Sequence, residues 1–96
     1  MGLYNELIVE DPDLGKFDIQ FKFGELWLYK YKIGDCLRLA DSQMGLKHGV
    51  YIASGIANIS GTYYYFKITF RDAIIIKYEQ ISESEYDILV FSERNL

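Results

Sequence analysis

Residues 62–70 read Thr-Tyr-Tyr-Tyr-Phe-Lys-Ile-Thr-Phe. In an extended chain, successive side chains point to opposite faces. Tyr64, Phe66, Ile68 and Phe70 therefore share one face, and Tyr63, Tyr65, Lys67 and Thr69 share the other. The first series is the more apolar, so it is assigned to a core and the second to an outer face. Ser60-Gly61 before this run and Arg71-Asp72 after it are turn formers. The next run, Ala73 to Ile81, contains Ile74-Ile75-Ile76 and reads as a strand buried on both faces.

The same alternation recurs towards the N-terminus. Phe17, Ile19, Phe21 and Phe23 oppose Lys16, Asp18, Gln20 and Lys22, which marks a half-buried strand. Gly24-Glu25 follows as a turn. Leu26 to Ile33 reads as a second strand, with Trp27, Tyr29, Tyr31 and Ile33 on one face, so the pair predicts a hairpin. Cys36–Leu39 is read as a short strand and Asp41–Gly49 as a loop. Val50–Ala53 is a strand that Ile56–Ile59 continues past Ser54-Gly55. Ser82–Glu85 is polar, Tyr86–Phe91 reads as a last strand, and Ser92–Leu96 as a loose tail. No segment keeps an i, i+3, i+4, i+7 apolar stripe over ten residues. The expected architecture is all-β: about seven short antiparallel strands in a small barrel or sandwich, which leaves few exposed edges. Residues 1–91 form the domain and 92–96 the tail.

Length and composition agree with one domain. The chain has 96 residues, half of them hydrophobic, with one Trp, nine Tyr and six Phe. Aromatics at this density fit the pleated surface of a sheet. The acidic residues Glu6, Glu10, Asp11 and Asp13 are incompatible with a secretory signal at the start of the chain. No apolar run approaches the ~20 residues of a membrane helix. The lone Cys36 cannot form an internal disulfide, so the expected location is a reducing cytoplasm. Net charge is -4. Residues 1–15 and 79–96 each carry -4, whereas 16–38 and 39–78 each carry +2. Such a balance lacks the basic footprint of a nucleic-acid-binding protein as a whole.

Two pentapeptides have the shape of zinc knuckles with both cysteines replaced. They are Asp11-Pro12-Asp13-Leu14-Gly15 and Ala57-Asn58-Ile59-Ser60-Gly61, with 42 residues between Leu14 and Ala57. With Met1-Gly2-Leu3-Tyr4, Phe21–Glu25, Tyr31–Asp35 and the hairpin from Thr62 to Ile76, they make residues 1–80 resemble a family of small phage and prophage proteins. The resemblance implies a zinc-ribbon-like β domain. It also implies a non-catalytic role on a host or phage protein, for example as an inhibitor of a host defence system. A structural zinc site takes four ligands, usually Cys or His. Leu14 and Ala57 cannot ligate, so the expected domain is metal-free and holds no cofactor.

No catalytic constellation is expected. Cys36 and His48 are the one nucleophile–base pairing the composition allows, and Cys36 is read as a core thiol. The acidic clusters Glu10/Asp11/Asp13 and Glu83/Glu85/Asp87 read as solvated. The candidate binding residues are aromatics interleaved with lysine: Trp27, Tyr29 and Tyr31 with Lys30 and Lys32, and Tyr63 and Tyr65 with Lys67. Tyrosine buries much area at little entropic cost and keeps a polar tip, which suits a protein contact. The alternative reading is stacking on single-stranded nucleic acid, as on oligonucleotide-binding barrels. Self-association is also open.

The metal expectation has a direct measurement. Elemental analysis of purified protein should find no stoichiometric zinc, and a chelator should leave the melting temperature unchanged. About one zinc per chain would overturn it.

Overall fold

The computed structural model describes residues 3–94. Six strands form one curled, half-barrel sheet: β1 (Asn5–Asp11), β2 (Gly15–Phe21), β3 (Lys30–Tyr31), β4 (Val50–Ile59), β5 (Thr62–Arg71) and β6 (Ile74–Ile81). Their order is β3-β1-β2-β4-β5-β6. All neighbours are antiparallel except β1 and β3. A 3-10 helix, Asp41–Lys47, precedes β4, and an α-helix, α1 (Glu83–Arg94), follows β6.

The inner face of β5 is the one its alternation predicts. Phe66, Ile68 and Phe70 are buried, and Tyr64 packs against the same core. Phe66 stacks on Phe17 of β2 with ring centroids 5.5 Å apart, and Phe70 lies between Phe21 and Phe23. β4, β5 and β6 are joined by two-residue turns, Ser60-Gly61 and Asp72-Ala73, with positive φ at each position. That is the turn whose twist matches antiparallel strands. Ser54-Gly55 does not interrupt β4. A Cβ at Gly55 would fall 2.5 Å from Ile19 Cγ2, so the glycine is needed for contact between β4 and β2.

The structure corrects several expectations. The partner of β2 is β1, with Leu7 opposite Ile19 and Val9 opposite Phe17, and no hairpin forms around Gly24-Glu25. Leu26–Ile33 contributes only Lys30–Tyr31 to the sheet. Cys36–Leu39 gives one isolated bridge, Cys36 to Ile74, and Asp41–Lys47 is helical rather than looped. Its start is fixed by Gln43, whose side chain accepts from Ala40 N at 3.0 Å. Among Ile74, Ile75 and Ile76 only Ile75 is buried, because β6 has one face in solvent. Cys36 is exposed, and it is Leu37 beside it that enters the core.

The largest correction is the C-terminus. Tyr86–Phe91 is helical, not a strand, and residues 92–94 continue the helix instead of forming a loose tail; 95–96 lie outside the described residues. Ser82 Oγ accepts from Glu85 N at 3.1 Å, and Glu83 and Glu85 occupy the first turn. A serine cap and carboxylates at the positive end of the helix dipole outweigh the β-branched and aromatic character that follows. A short apolar run does not by itself distinguish strand from buried helix.

The curled sheet is joined edge to edge at one end. Past β3, Gly34 N donates to Ile75 O at 2.8 Å, Asp35 O accepts from Ile75 N at 3.0 Å, and Leu37 N donates to Ala73 O at 2.6 Å. A bulge between Thr69/Phe70 and Lys77/Ile75 leaves Ile76 as the extra residue in β6. Beyond it, Ile75 turns its backbone groups away from β5 and towards residues 34–35.

The register is testable by truncation. Phe66→Ala should cost on the order of 3–5 kcal/mol, which a domain of this size hardly survives. Tyr63→Ala, on a side chain 59% exposed, should leave the melting curve nearly unchanged. Unfolding by the second with tolerance of the first would place the faces the other way round.

Candidate functional site

Asn5 is fully buried at the start of β1. Its Nδ2 donates to Phe23 O at 3.1 Å and Glu25 O at 2.9 Å. Its Oδ1 accepts from Trp27 N at 3.3 Å and Tyr29 N at 3.2 Å. One side chain thus satisfies four backbone groups of an irregular segment, residues 22–29, that no strand serves. Leu28 N adds a bond to Tyr4 O at 2.9 Å, and Glu25 N one to Arg38 O at 2.8 Å. Gly24 completes the docking. Its φ is +77°, and a Cβ there would lie 2.7 Å from Leu37 Cδ2.

The tip of this fixed loop is apolar and outward. Trp27 is 68% exposed and Leu28 50% exposed. Leu28 has φ +58°, a left-handed conformation that costs a branched residue roughly 1–2 kcal/mol. Tyr29 turns sideways: its OH donates to Glu25 Oε1 at 2.8 Å, and the Arg38 guanidinium lies 4.8 Å from its ring centre. The Glu25 hydrogen bond pushes the Tyr29 phenol up. Tyr31 points inward and is buried; its OH accepts from Arg38 N at 3.1 Å, and burial raises its pKa. Trp27, Tyr29 and Tyr31 therefore do not form one face. The β spacing of two that would have aligned them holds only over Lys30–Tyr31.

The other predicted group is divided as well. Tyr63 is open on the outer face of β5. Tyr65 is half-buried beneath α1, its ring 4.8 Å from that of Tyr86 and its OH donating to Glu83 Oε2 at 3.3 Å. Lys67 pairs with Glu79 at 3.4 Å, and Lys77 pairs with the same carboxylate at 2.8 Å. On the β1–β3 side, Lys30 stands opposite Glu6 and Lys16 opposite Glu10. Partial burial, with Asp18 nearby, pushes the Glu6 carboxyl up.

Between α1 and the outer faces of β2 and β4 lies a cleft of about 460 Å³. Tyr4, Gln20, Lys22, Ile56 and Val90 line it. Glu93 closes one end. Its Oε1 accepts from Ser54 N at 2.6 Å and its Oε2 from Ser54 Oγ at 2.8 Å. The β2–β4 ladder ends at Phe21/Gly55, so the carboxylate serves a β4 donor just past the point where β2 has left.

The knuckle-like turns have other partners. Asp11 Oδ1 accepts from Asp13 N and Leu14 N, and its Oδ2 accepts from Tyr78 OH at 2.8 Å. These bonds pull Asp11 below its usual range, while burial and then Asp11 push Tyr78 up to about 12. Leu14 packs on the core and Ala57 is buried in it. Cys36 Sγ lies 3.8 Å from Leu37 O, and His48 ends the 3-10 helix; among the described residues no hydrogen bond joins them.

Asn5, Leu28 and the Ser54–Glu93 pair were not legible as site residues. Asn5 alone carries a signal, being polar on the face that Leu7 and Val9 bury. Compared with known protein families, with curated proteins and with solved structures, the chain matches none.

Asn5→Asp tests the hub. It keeps the shape but sets a carboxylate against the carbonyls of Phe23 and Glu25. Each buried group left unpaired costs about 1–3 kcal/mol. The melting temperature should fall sharply, and the anisotropy of Trp27, the single tryptophan, should drop below the melt. No change in either would show that the amide does not hold the loop.

Proposed function

We propose that this chain is a non-catalytic protein-binding domain: a cytoplasmic accessory protein of the phage or prophage kind that docks on a host or phage protein, with inhibition of a host defence system as the role the resemblance favours. The observation that carries the docking reading is the Trp27-Leu28 tip. A large aromatic and a strained leucine stand in solvent on a loop that the buried Asn5 holds rigid. Rigid aromatic anchors give affinity because little entropy is lost when they are covered. Backbone strain of this kind clusters at ligand clamps, active sites and switch regions. Tyr63 and Lys67 stay in the reading as a second contact region on β5.

The zinc-ribbon likeness enters here as descent. The Asp11–Gly15 turn and the Ser60-Gly61 turn fall at the same end of the sheet, since β2 and β4 run antiparallel. Leu14 packs against the core and Ala57 lies in it, so in this reading packing stands in for ligation at these positions. The domain needs no cofactor in this reading. The nucleic-acid alternative is weakened by its lysines. Lys16, Lys30, Lys67 and Lys77 each sit beside a carboxylate, so these four are partly neutralised for phosphate contact.

The test separates binding from folding. A partner captured from host lysate by the parent protein should bind Trp27→Ala roughly 30-fold more weakly, the effect of a hot spot worth about 2 kcal/mol. Leu28→Gly should weaken binding while costing no more than about 1 kcal/mol of stability, because glycine takes the left-handed conformation freely. Equal binding by parent and Trp27→Ala would remove the tip as the docking surface. Capture of nucleic acid with steep salt dependence would favour the alternative.

A further inference from the structure

We propose that the outer face of β4 and β5 is a helix-binding groove which α1 fills in cis, and that a partner's amphipathic helix, with an aromatic residue and a carboxylate seven positions apart, takes α1's place. This rests on the reading of the chain as a protein-binding domain and names the chemistry of what it binds.

The helix is held by its ends. At the first turn Tyr86 stacks obliquely on Tyr65 and Glu83 accepts from the Tyr65 hydroxyl. At the last turn Glu93 accepts both Ser54 donors. Between these contacts lies the cleft, with the half-buried Val90 on its helix side. From Glu83 to Glu93 no residue is fully buried: Tyr86, Leu89, Val90 and Glu93 are half-buried, and Ile88 is 66% exposed. A helix of 12 residues is marginal alone in water, so its order depends on tertiary contacts such as those at Tyr65 and Ser54. Its connection to β6 is Ser82 alone. An element with so little burial opens locally at a small fraction of the global unfolding free energy.

The vacated surface would have fixed demands. Tyr65 offers an aromatic shelf. Ser54 offers a backbone N–H and a hydroxyl where the β2 ladder has ended. An orphaned donor is costly, so the occupant must return an acceptor. Tyr86 and Glu93 show that a helix reaches both points across seven residues. The groove also adjoins the Trp27-Leu28 tip: Tyr4 lines the cleft, and its carbonyl accepts from Leu28 N. One helix seated there would meet the tip as it leaves the sheet.

Two experiments on the full chain test this. In hydrogen exchange, α1 amides should exchange at least about 100-fold faster than those of β4 and β5. Ser54→Ala should speed α1 further and leave β5 unchanged. Protection of α1 equal to that of β5 would overturn the proposal, and this arm needs no variant. In the second, a labelled, helix-stapled peptide of residues 82–94 is titrated against Glu93→Ala protein and against the parent. Binding should be at least tenfold tighter to Glu93→Ala, whose own helix competes less, and should vanish when the peptide carries Glu93→Ala. Equal affinity for both proteins, or none for either, would overturn it. If these fail while Trp27→Ala still loses the captured partner, the groove is wrong and the docking reading stands.

Discussion

The side-chain amide of Asn5 has two N–H donors and a carbonyl oxygen with two lone pairs, and all four are used inside the protein. Much of the N-terminal half depends on this. A sheet satisfies its backbone by pairing, but residues 22–29 leave the sheet and still pass over buried ground. Without Asn5 the carbonyls of Phe23 and Glu25 and the amides of Trp27 and Tyr29 would need water or each other. With it, an eight-residue irregular segment is as determined as a strand. That segment then delivers Lys30–Tyr31 to the edge of β1 and residues 34–37 to the edge of β6.

The second constraint is the bulge in β6. A six-stranded sheet has two edges that invite unwanted pairing. Here the extra residue at Ile76 changes which backbone groups of β6 face outward, so that Ile75 meets Gly34 and Asp35. At the far end of the opening, Tyr78 reaches from β6 to Asp11 in the β1–β2 turn. The chain thus connects the two halves of the curl by backbone at one end and by a phenol–carboxylate bond at the other. The Asp11 that resembles a metal-ligand position is taken up in that connection.

What could be read from the sequence follows from which signals are local. The β5 alternation was legible because one face is aromatic and aliphatic without interruption and both ends are two-residue turns. The helix was not. Ser82 and Glu85 announce a cap, yet Tyr86-Asp87-Ile88-Leu89-Val90-Phe91 has strong strand propensity, and the choice is made by contacts at Tyr65 and Ser54 that are distant in sequence. β1 was hidden by its acids, which lie on the exposed face or at the turn while Asn5, Leu7 and Val9 face in. The aromatic series from Trp27 to Tyr31 looked like one face because a strand was assumed. Once Asn5 fixes a non-strand path, Trp27 and Tyr31 point to solvent and core respectively. Positive φ at a leucine has no sequence signature.

The exposed tip and the loosely held helix have a common logic. Leu28 sits at positive φ on the path that Asn5 fixes, and α1 covers a sheet face with none of residues 83–93 fully buried. Both are local departures from what stability alone would select, and they adjoin through Tyr4. The core elsewhere shows no such slack: Phe66, Ile68, Phe70, Ile19 and Ile75 are closed to solvent, and Gly55 has no room for a methyl group. In the proposed reading, a rigid core beside one strained knob and one displaceable helix would direct binding energy to displacement of α1 and burial of Trp27, not to folding the domain. Such a partition would let the affinity be set by the proposed latch, Ser54 with Glu93, independently of the residues that hold the sheet together.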